Sequence, residues 1–430
     1  MGVRLGILGL GTVGTGTVQL LQDTAGRNPL LKEIEIYRVG VRSLSKPRTV
    51  ELNKCLITTD LESIVNDPAV DIVVEVMGGL EPARSLIMRA IANGKHVVTA
   101  NKAAIARFGD EIFTAANQAG VYVMLEAAVG GGIPVIQPLK QSLSVNRLSA
   151  VTGIVNGTTN YILTRMQTEG SNFDAVLADA QNLGYAEADP TADVDGLDAA
   201  DKIAILASLA FGGRINLQDV YCEGIRQVSK TDIAYAEKLG FVIKLLAIAK
   251  QITTTPSNTI SVRVHPTLVP QTHPLASING VYNAILVEGE PIGQVMFFGP
   301  GAGAGATASA VSSDILNLVA TLKTSTATAN PLLACSHHDY CQIVPMAELV
   351  TRFYTRFLTK DQSGVIGKLG TCFGKYGVSL ESIVQTGFQG QLAEIVVVTY
   401  DVLEGDFLQA LAEIRTLEAI DSIPSLLRVL

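Results

Sequence analysis

The sequence predicts an α/β protein of several domains: a doubly wound parallel sheet, a mixed α+β middle region and a C-terminal βαββαβ unit. Three observations carry this prediction. Short apolar runs alternate with helical patterns up to residue 128. A glycine turn, Gly9-Leu10-Gly11-Thr12-Val13-Gly14, joins the first run to the first helical pattern. From residue 350 onward the chain reads strand, helix, strand, strand, helix, strand. A length of 430 residues suits two or three domains, and 48% hydrophobic content supports large buried cores.

Composition narrows the partners. The net charge is −8 and the pI near 5.3, which argues against nucleic acid and anionic membrane. No apolar run approaches the ~20 residues of a membrane span. The apolar part of the N-terminus is too short for a signal peptide and is consumed by the glycine motif. Five scattered Cys suggest reduced thiols and a cytoplasmic address.

The first domain is expected over residues 1–130. Val3–Leu8 is the opening strand, and the glycines after it permit a tight turn and close approach of a pyrophosphate to the next helix N-terminus. This predicts a Rossmann-type dinucleotide site. The second strand, Ile34–Val39, should end on an acid if the ribose 2′-hydroxyl of NAD is bound. It ends instead on Val41-Arg42-Ser43, with Lys46 and Arg48 beyond. Arg42 suits a 2′-phosphate, so NADP(H) is favoured and NAD(H) stays open; a solvated loop arginine is the plainer alternative. Strands at 71–77, 96–100 and 121–128 and helices from Pro82 and Ala103 continue the alternation. Lys102 falls at a strand's carboxyl end, where it either touches cofactor or substrate or simply starts a helix.

The middle region is expected over 131–298. Glu126 precedes Val129-Gly130-Gly131-Gly132-Ile133, where a carboxylate and free carbonyls offer oxygen ligands to a hard cation; a hinge without metal is the alternative. Residues 151–166 read as strand, polar turn and helix. Residues 184–202 hold five Asp with Glu187 and Lys202, then run into an apolar helix. Asp198 and Lys202 are four apart and share a helix face beside the stripe Ile203, Leu206 and Ala210. Burial favours a neutral lysine and a nearby carboxylate opposes it, which tunes a lysine for proton transfer. The alternative is a surface ion pair worth roughly 0.2–0.5 kcal/mol. After two strand-like runs, Gly299–Thr307 forms another glycine loop before a helix, so residues 299–325 should return to complete the first domain.

Residues 326–349, preceded by a Thr-rich run from Thr321, are expected to be a linker. A zinc reading of Cys335, His337, His338 and Cys341 is disfavoured, because the spacing fits no common site. Residues 350–430 form the βαββαβ unit.

These motifs resemble homoserine dehydrogenase: GLGTVG, TANK, EAAVGGGIP, GIVNGTTNYIL, GYAEADPTADVDGLDAADK and GPGAGAGATASAV occur in that family's order. The tail resembles an ACT domain, an amino-acid-sensing module. The resemblance implies reversible NAD(P)H-dependent reduction of L-aspartate 4-semialdehyde to L-homoserine, on the route to threonine and methionine. It implies Lys202 as proton donor, with Asp198, Glu187 and the backbone of Gly184 binding substrate. It further implies Thr12, Val13, Lys102 and Gly303 as cofactor contacts, and Na+ held by Glu126 and the carbonyls of Val129, Gly131 and Ile133. It makes the middle region a substrate and dimerisation domain, so a homodimer or homotetramer is expected. Threonine is the expected effector, at the turn Asp361-Gln362-Ser363-Gly364.

Two rivals remain. A cysteine-thioester aldehyde dehydrogenase needs a nucleophilic Cys, yet all five Cys lie outside the motifs. A non-catalytic NADP-binding amino-acid sensor would have no use for Lys202 and Asp198.

Overall fold

The computed structural model describes all residues except Met1, 253–258, 325–329 and 336–338. The first half of the chain reads β1 (Val3–Leu8), α1 (Thr12–Gln22), β2 (Ile34–Gly40), β3 (Ile57–Thr58), α2 (Leu61–Val65), β4 (Ile72–Glu75), α3 (Ala83–Ala92), β5 (His96–Thr99), α4 (Lys102–Ala119), β6 (Val123–Met124), α5 (Ile136–Lys140), β7 (Arg147–Ile154), α6 (Gly157–Glu169), α7 (Phe173–Asn182), α8 (Thr191–Val194) and α9 (Leu197–Phe211). It continues with β8 (Tyr221–Cys222), α10 (Lys230–Lys238), β9 (Phe241–Gln251), β10 (Thr259–Pro270), β11 (Tyr282–Glu290), β12 (Gly293–Pro300) and α11 (Ala304–Thr324). The tail is β13 (Gln342–Ile343), β14 (Val350–Lys360), α12 (Val365–Lys375), β15 (Leu380–Gln389), β16 (Leu392–Thr399), β17 (Val402–Leu403), α13 (Glu404–Ile414) and β18 (Ile420–Val429). These elements form two compact units.

The first unit comprises residues 1–151, 201–218 and 283–341. Its parallel sheet has the order β3-β2-β1-β4-β5-β6, the doubly wound arrangement read from the sequence. The strands are apolar because both faces are covered: Leu5, Ile7, Val73, Val74, Val97 and Val98 are all fully buried. Helix α11 returns against α1, where Gly16 permits close packing; a Cβ there would lie 2.9 Å from the Ala308 Cβ.

The second unit comprises residues 152–200, 219–282 and 342–430. In it β9 and β10 run antiparallel from Phe241↔Pro270 to Gln251↔Ile260. The tail forms an antiparallel sheet in the order β18-β14-β16-β15, with α12 and α13 over a core of Phe353, Phe357, Phe373 and Phe407. The βαββαβ order therefore holds. The tail does not stand apart on a linker, however. Its β18 pairs in parallel with β10 through Thr267↔Arg428 and Leu268↔Val429.

Buried charges reinforce this join. Asp232, fully buried at the start of α10, accepts from Arg356 Nε at 2.8 Å and from the Tyr354 hydroxyl at 3.1 Å. Arg356 also donates to Glu394 at 3.2 Å, and the Tyr235 hydroxyl donates to the same carboxylate at 3.0 Å. Asp232 additionally closes a capping box with Ser229.

Three other expectations need correction. The strand anticipated over 121–128 is reduced to β6, because Glu126–Ala128 turns into a 3-10 helix. The Thr-rich run begins inside α11: the Thr321 and Thr324 hydroxyls donate to carbonyls four residues back, each at 2.8 Å. The expected linker at 326–349 includes β13, which pairs with β10, and the buried Leu333. Of the disfavoured zinc cluster, His337 and His338 lie outside the described residues.

The buried ion pairs give a stability prediction. Asp232→Ala strands a buried guanidinium and should cost about 3–5 kcal/mol, whereas the double variant with Arg356→Met should recover much of that. Chemical denaturation of the wild type, the single variants and the double variant measures the coupling. Additive losses would show that the pair is not coupled.

Candidate active site

In the first unit the glycine turn behaves as its spacing predicts. Gly9 has φ +107°, and a Cβ on Gly14 would lie 2.1 Å from the Gly9 carbonyl oxygen. The turn opens α1, and Gly303, with φ +117°, opens α11. A groove of about 640 Å³ runs along this ground, lined by Leu10, Gly11, Thr12, Lys46, Arg48 and Ala304. Its floor offers helix N-termini to phosphate, and its rim is cationic. Val13 is half-buried in α1, and Arg42 is exposed just beyond β2.

Sequence reasoning missed the device that sets Lys102. Glu75, fully buried at the end of β4, accepts from the Thr99 hydroxyl at 2.7 Å and from Met77 N–H at 2.9 Å. Thr99 Oγ1 accepts from Asn101 N–H at 3.0 Å. Asn101 then caps α4 by accepting from Ala104 N–H and donates to the Gly79 carbonyl. The signal was an acid within an otherwise apolar strand, DIVVEVM. Lys102 is the first residue of α4 and so inherits a fixed place.

Glu126 lies at the start of the loop where the sequence reading places it. Its carboxylate accepts three backbone N–H groups, from Val135 at 2.6 Å, Ile136 at 2.8 Å and Gln137 at 2.8 Å. Its own N–H donates to Asp314 at 2.7 Å. Burial pushes the Glu126 carboxyl up, and the three N–H donors pull it back. Asp314 is pushed up to about 8 by burial and by the neighbouring Glu126. The carboxylate thus anchors the start of α5. By contrast, among the described residues no hydrogen bond ends on the carbonyl oxygens of Val129, Gly131 or Ile133, all in buried residues. Those carbonyl oxygens, with the Glu126 carboxylate at the head of the loop, are oxygen donors of the kind a hard cation takes.

Helix α9 carries Asp198 and Lys202 one turn apart, and both are nine-tenths buried. The surface ion-pair reading therefore fails. In the second unit Asn156 donates to Asp198 at 2.9 Å and to Asp193 at 2.7 Å, and caps α6 through Thr159 N–H at 2.8 Å. Sequence reasoning missed Asn156, although an Asn followed by Gly-Thr-Thr before a helical run is a capping signal. Gly184 has φ +76°, and both it and Glu187 are exposed between α7 and α8. Gln181 donates to the Glu187 carbonyl at 3.1 Å and orders that turn. In the first unit Arg107 donates to both carboxylate oxygens of Asp201 at 3.0 Å, beside Lys202 in sequence.

A dinucleotide groove on a doubly wound sheet, with a buried lysine and carboxylate on one helix, defines a nicotinamide-dependent oxidoreductase. Comparison with known proteins makes the family specific. Residues 9–126 match the homoserine dehydrogenase NAD-binding domain, 134–316 homoserine dehydrogenase, and 353–419 the ACT domain. A homoserine dehydrogenase of Synechocystis is 65% identical over all of both chains. The crystal structure of one from Thiobacillus denitrificans superposes with a TM-score of 0.90 at 40% identity, covering 100% of this chain and 98% of that one. A hyperthermophilic archaeal homoserine dehydrogenase in complex with NADPH has a TM-score of 0.62 at 27% identity, covering 76% of this chain and 99% of that one. The chain belongs to the homoserine dehydrogenase family and is an oxidoreductase with a nicotinamide cofactor; the reading as a non-catalytic sensor is not favoured.

Proposed function

We propose that Lys202 is the proton donor to the aldehyde oxygen as L-aspartate 4-semialdehyde becomes L-homoserine. The observation that carries this is its burial on α9, one turn from an Asp198 that Asn156 holds in place. The cofactor, when bound, supplies the hydride. Negative charge then builds on the aldehyde oxygen, and a lysine fixed on a helix delivers a proton there without reorganising solvent. Asp198, Glu187 and the Gly184 backbone hold the polar end of the substrate, whose ammonium suits the carboxylates. Gly9–Gly14, Lys102 and Gly303 hold the dinucleotide. NADPH is the preferred form, since no acid follows β2 and Arg42 stands there instead; the NADPH complex of the archaeal relative supports this. Residues 1–130 with 299–325 serve the cofactor, and 131–298 serve the substrate and subunit assembly, as a homodimer or homotetramer. The cellular setting is cytoplasmic synthesis of threonine and methionine.

The carbonyls of Val129, Gly131 and Ile133 hold Na+. Glu126 both shapes that loop and adds its carboxylate to the set. In the tail, a cavity of about 300 Å³ is lined by Thr359, Asp361, Gln362, Gly364, Gln385 and Ile395. Gly364, with φ +86°, is the cap residue of α12, an N-terminus suited to an amino-acid carboxylate. Threonine is the effector proposed there.

Lys202→Ala should lower kcat by about 10²–10⁴-fold with stability retained; a near-wild-type kcat would remove Lys202 from its role. For the cation, replacing choline with Na+ at constant ionic strength should raise Tm. A ligand at a hundred times its Kd stabilises by about 2.7 kcal/mol, so identical melting in both salts would end that reading. For regulation, threonine should inhibit the full-length enzyme, and Gly364→Val should abolish inhibition while preserving kcat. Insensitivity of the wild type at millimolar threonine would refute the assignment.

A further inference from the structure

The segment from Ile36 to Val50 contains no acid and four cations, Arg38, Arg42, Lys46 and Arg48. They are used differently. Arg38 donates to the Cys55 carbonyl at 2.8 Å. The Arg42 and Lys46 side chains are exposed and make no hydrogen bond or ion pair among the described residues. Arg48 is half-buried and turns back on its own loop. Its Nη1 donates to the carbonyls of Leu44 at 3.2 Å and Lys46 at 3.0 Å, and its Nη2 donates to the Ser43 carbonyl at 2.5 Å. Lys46 and Arg48 both line the groove that holds Gly11 and Thr12.

We infer that Arg48 is a positioning residue for cofactor selection: it folds residues 43–48 so that Arg42 and Lys46 meet the 2′-phosphate of NADPH. This rests on the reading that NADPH is the preferred cofactor. Three like charges within seven residues repel one another, and a loop of Ser, Leu and Pro has little else to hold it. A planar guanidinium holds five donors in one rigid fork that spreads over three successive loop carbonyls, whereas an ammonium sends its three donors from a single point on a flexible stem. The fork gathers the loop carbonyls inward and leaves the two other cations facing out. Three of the five Arg48 donors are engaged by the backbone, so its first role is to shape the loop.

The test compares wild type, Arg48→Ala and Arg48→Lys in two assays. Calorimetry measures binding of adenosine 2′,5′-bisphosphate and of 5′-AMP; steady-state kinetics measures KM and kcat with NADPH and with NADH. Both variants should bind the bisphosphate about tenfold more weakly, near 1.4 kcal/mol, and bind 5′-AMP almost unchanged. KM for NADPH should rise while kcat and the NADH parameters hold. If Arg48→Lys matches wild type, charge alone suffices and the positioning role is wrong. Equal losses for both nucleotides, or no loss in Arg48→Ala, also overturn it. A wild type that does not prefer the bisphosphate over 5′-AMP refutes the NADPH reading and this inference together; a preference that survives Arg48→Ala refutes this inference alone.

Discussion

One buried carboxylate governs the point where the chain leaves the parallel sheet. Glu126 gathers three consecutive backbone N–H groups at the head of α5 while its own N–H is held by Asp314 on α11. The loop between them, 127–134, is thereby closed at both ends. Gly131 sits against the returning loop so tightly that a Cβ would lie 2.5 Å from the Gly301 carbonyl carbon, and Gly132 N–H donates to the Pro300 carbonyl. Two glycine-rich segments far apart in sequence are thus held backbone to backbone. The geometry of the carbonyls in 129–133, and the entry into α11, both follow from that clamp.

Much of this was legible in the sequence where a local rule applies. The glycine turn, the strand–helix alternation and the βαββαβ tail follow from residue type and period, and the structure has them. What escaped was set by partners distant in the chain. Nothing in the sequence shows that the Glu126 carboxylate would gather three N–H groups about ten residues on. Glu75 and Asn156 act through Thr99 and Asp198, pairings that no periodicity encodes. The stretch 121–128 has strand propensity throughout, but the hydrogen bond from Glu126 N–H to a side chain on another helix removes it from the ladder. The Thr-rich run reads as a linker by composition, yet its start lies inside α11, where the Thr321 and Thr324 hydroxyls are satisfied by carbonyls four residues back.

The tail is not an appendage. An ACT domain of this order can fold around its own aromatic core, yet here its strands β14 and β16 place Arg356 and Glu394 into a buried cluster with α10. The same two strands reach the cavity beside Gly364 through Thr359 and Ile395. A rearrangement at that cavity and one at the head of α10 therefore involve the same strands, which is the physical requirement for two sites to bias one element.

The pairing of β10 with β18 also bears on how the protein is made. β10 leaves the ribosome well before β18; β8 and β13 pair with its first part, but until β18 emerges the end at Thr267 and Leu268 that will receive it has unpaired N–H and C=O groups. Such an edge invites pairing with another nascent chain. The second unit is thus exposed to misassembly during synthesis in a way that the first parallel strands, β1 and β2, which meet early, are not. Slowing translation across the tail would lengthen that exposure, and shielding by a chaperone would matter most over this interval.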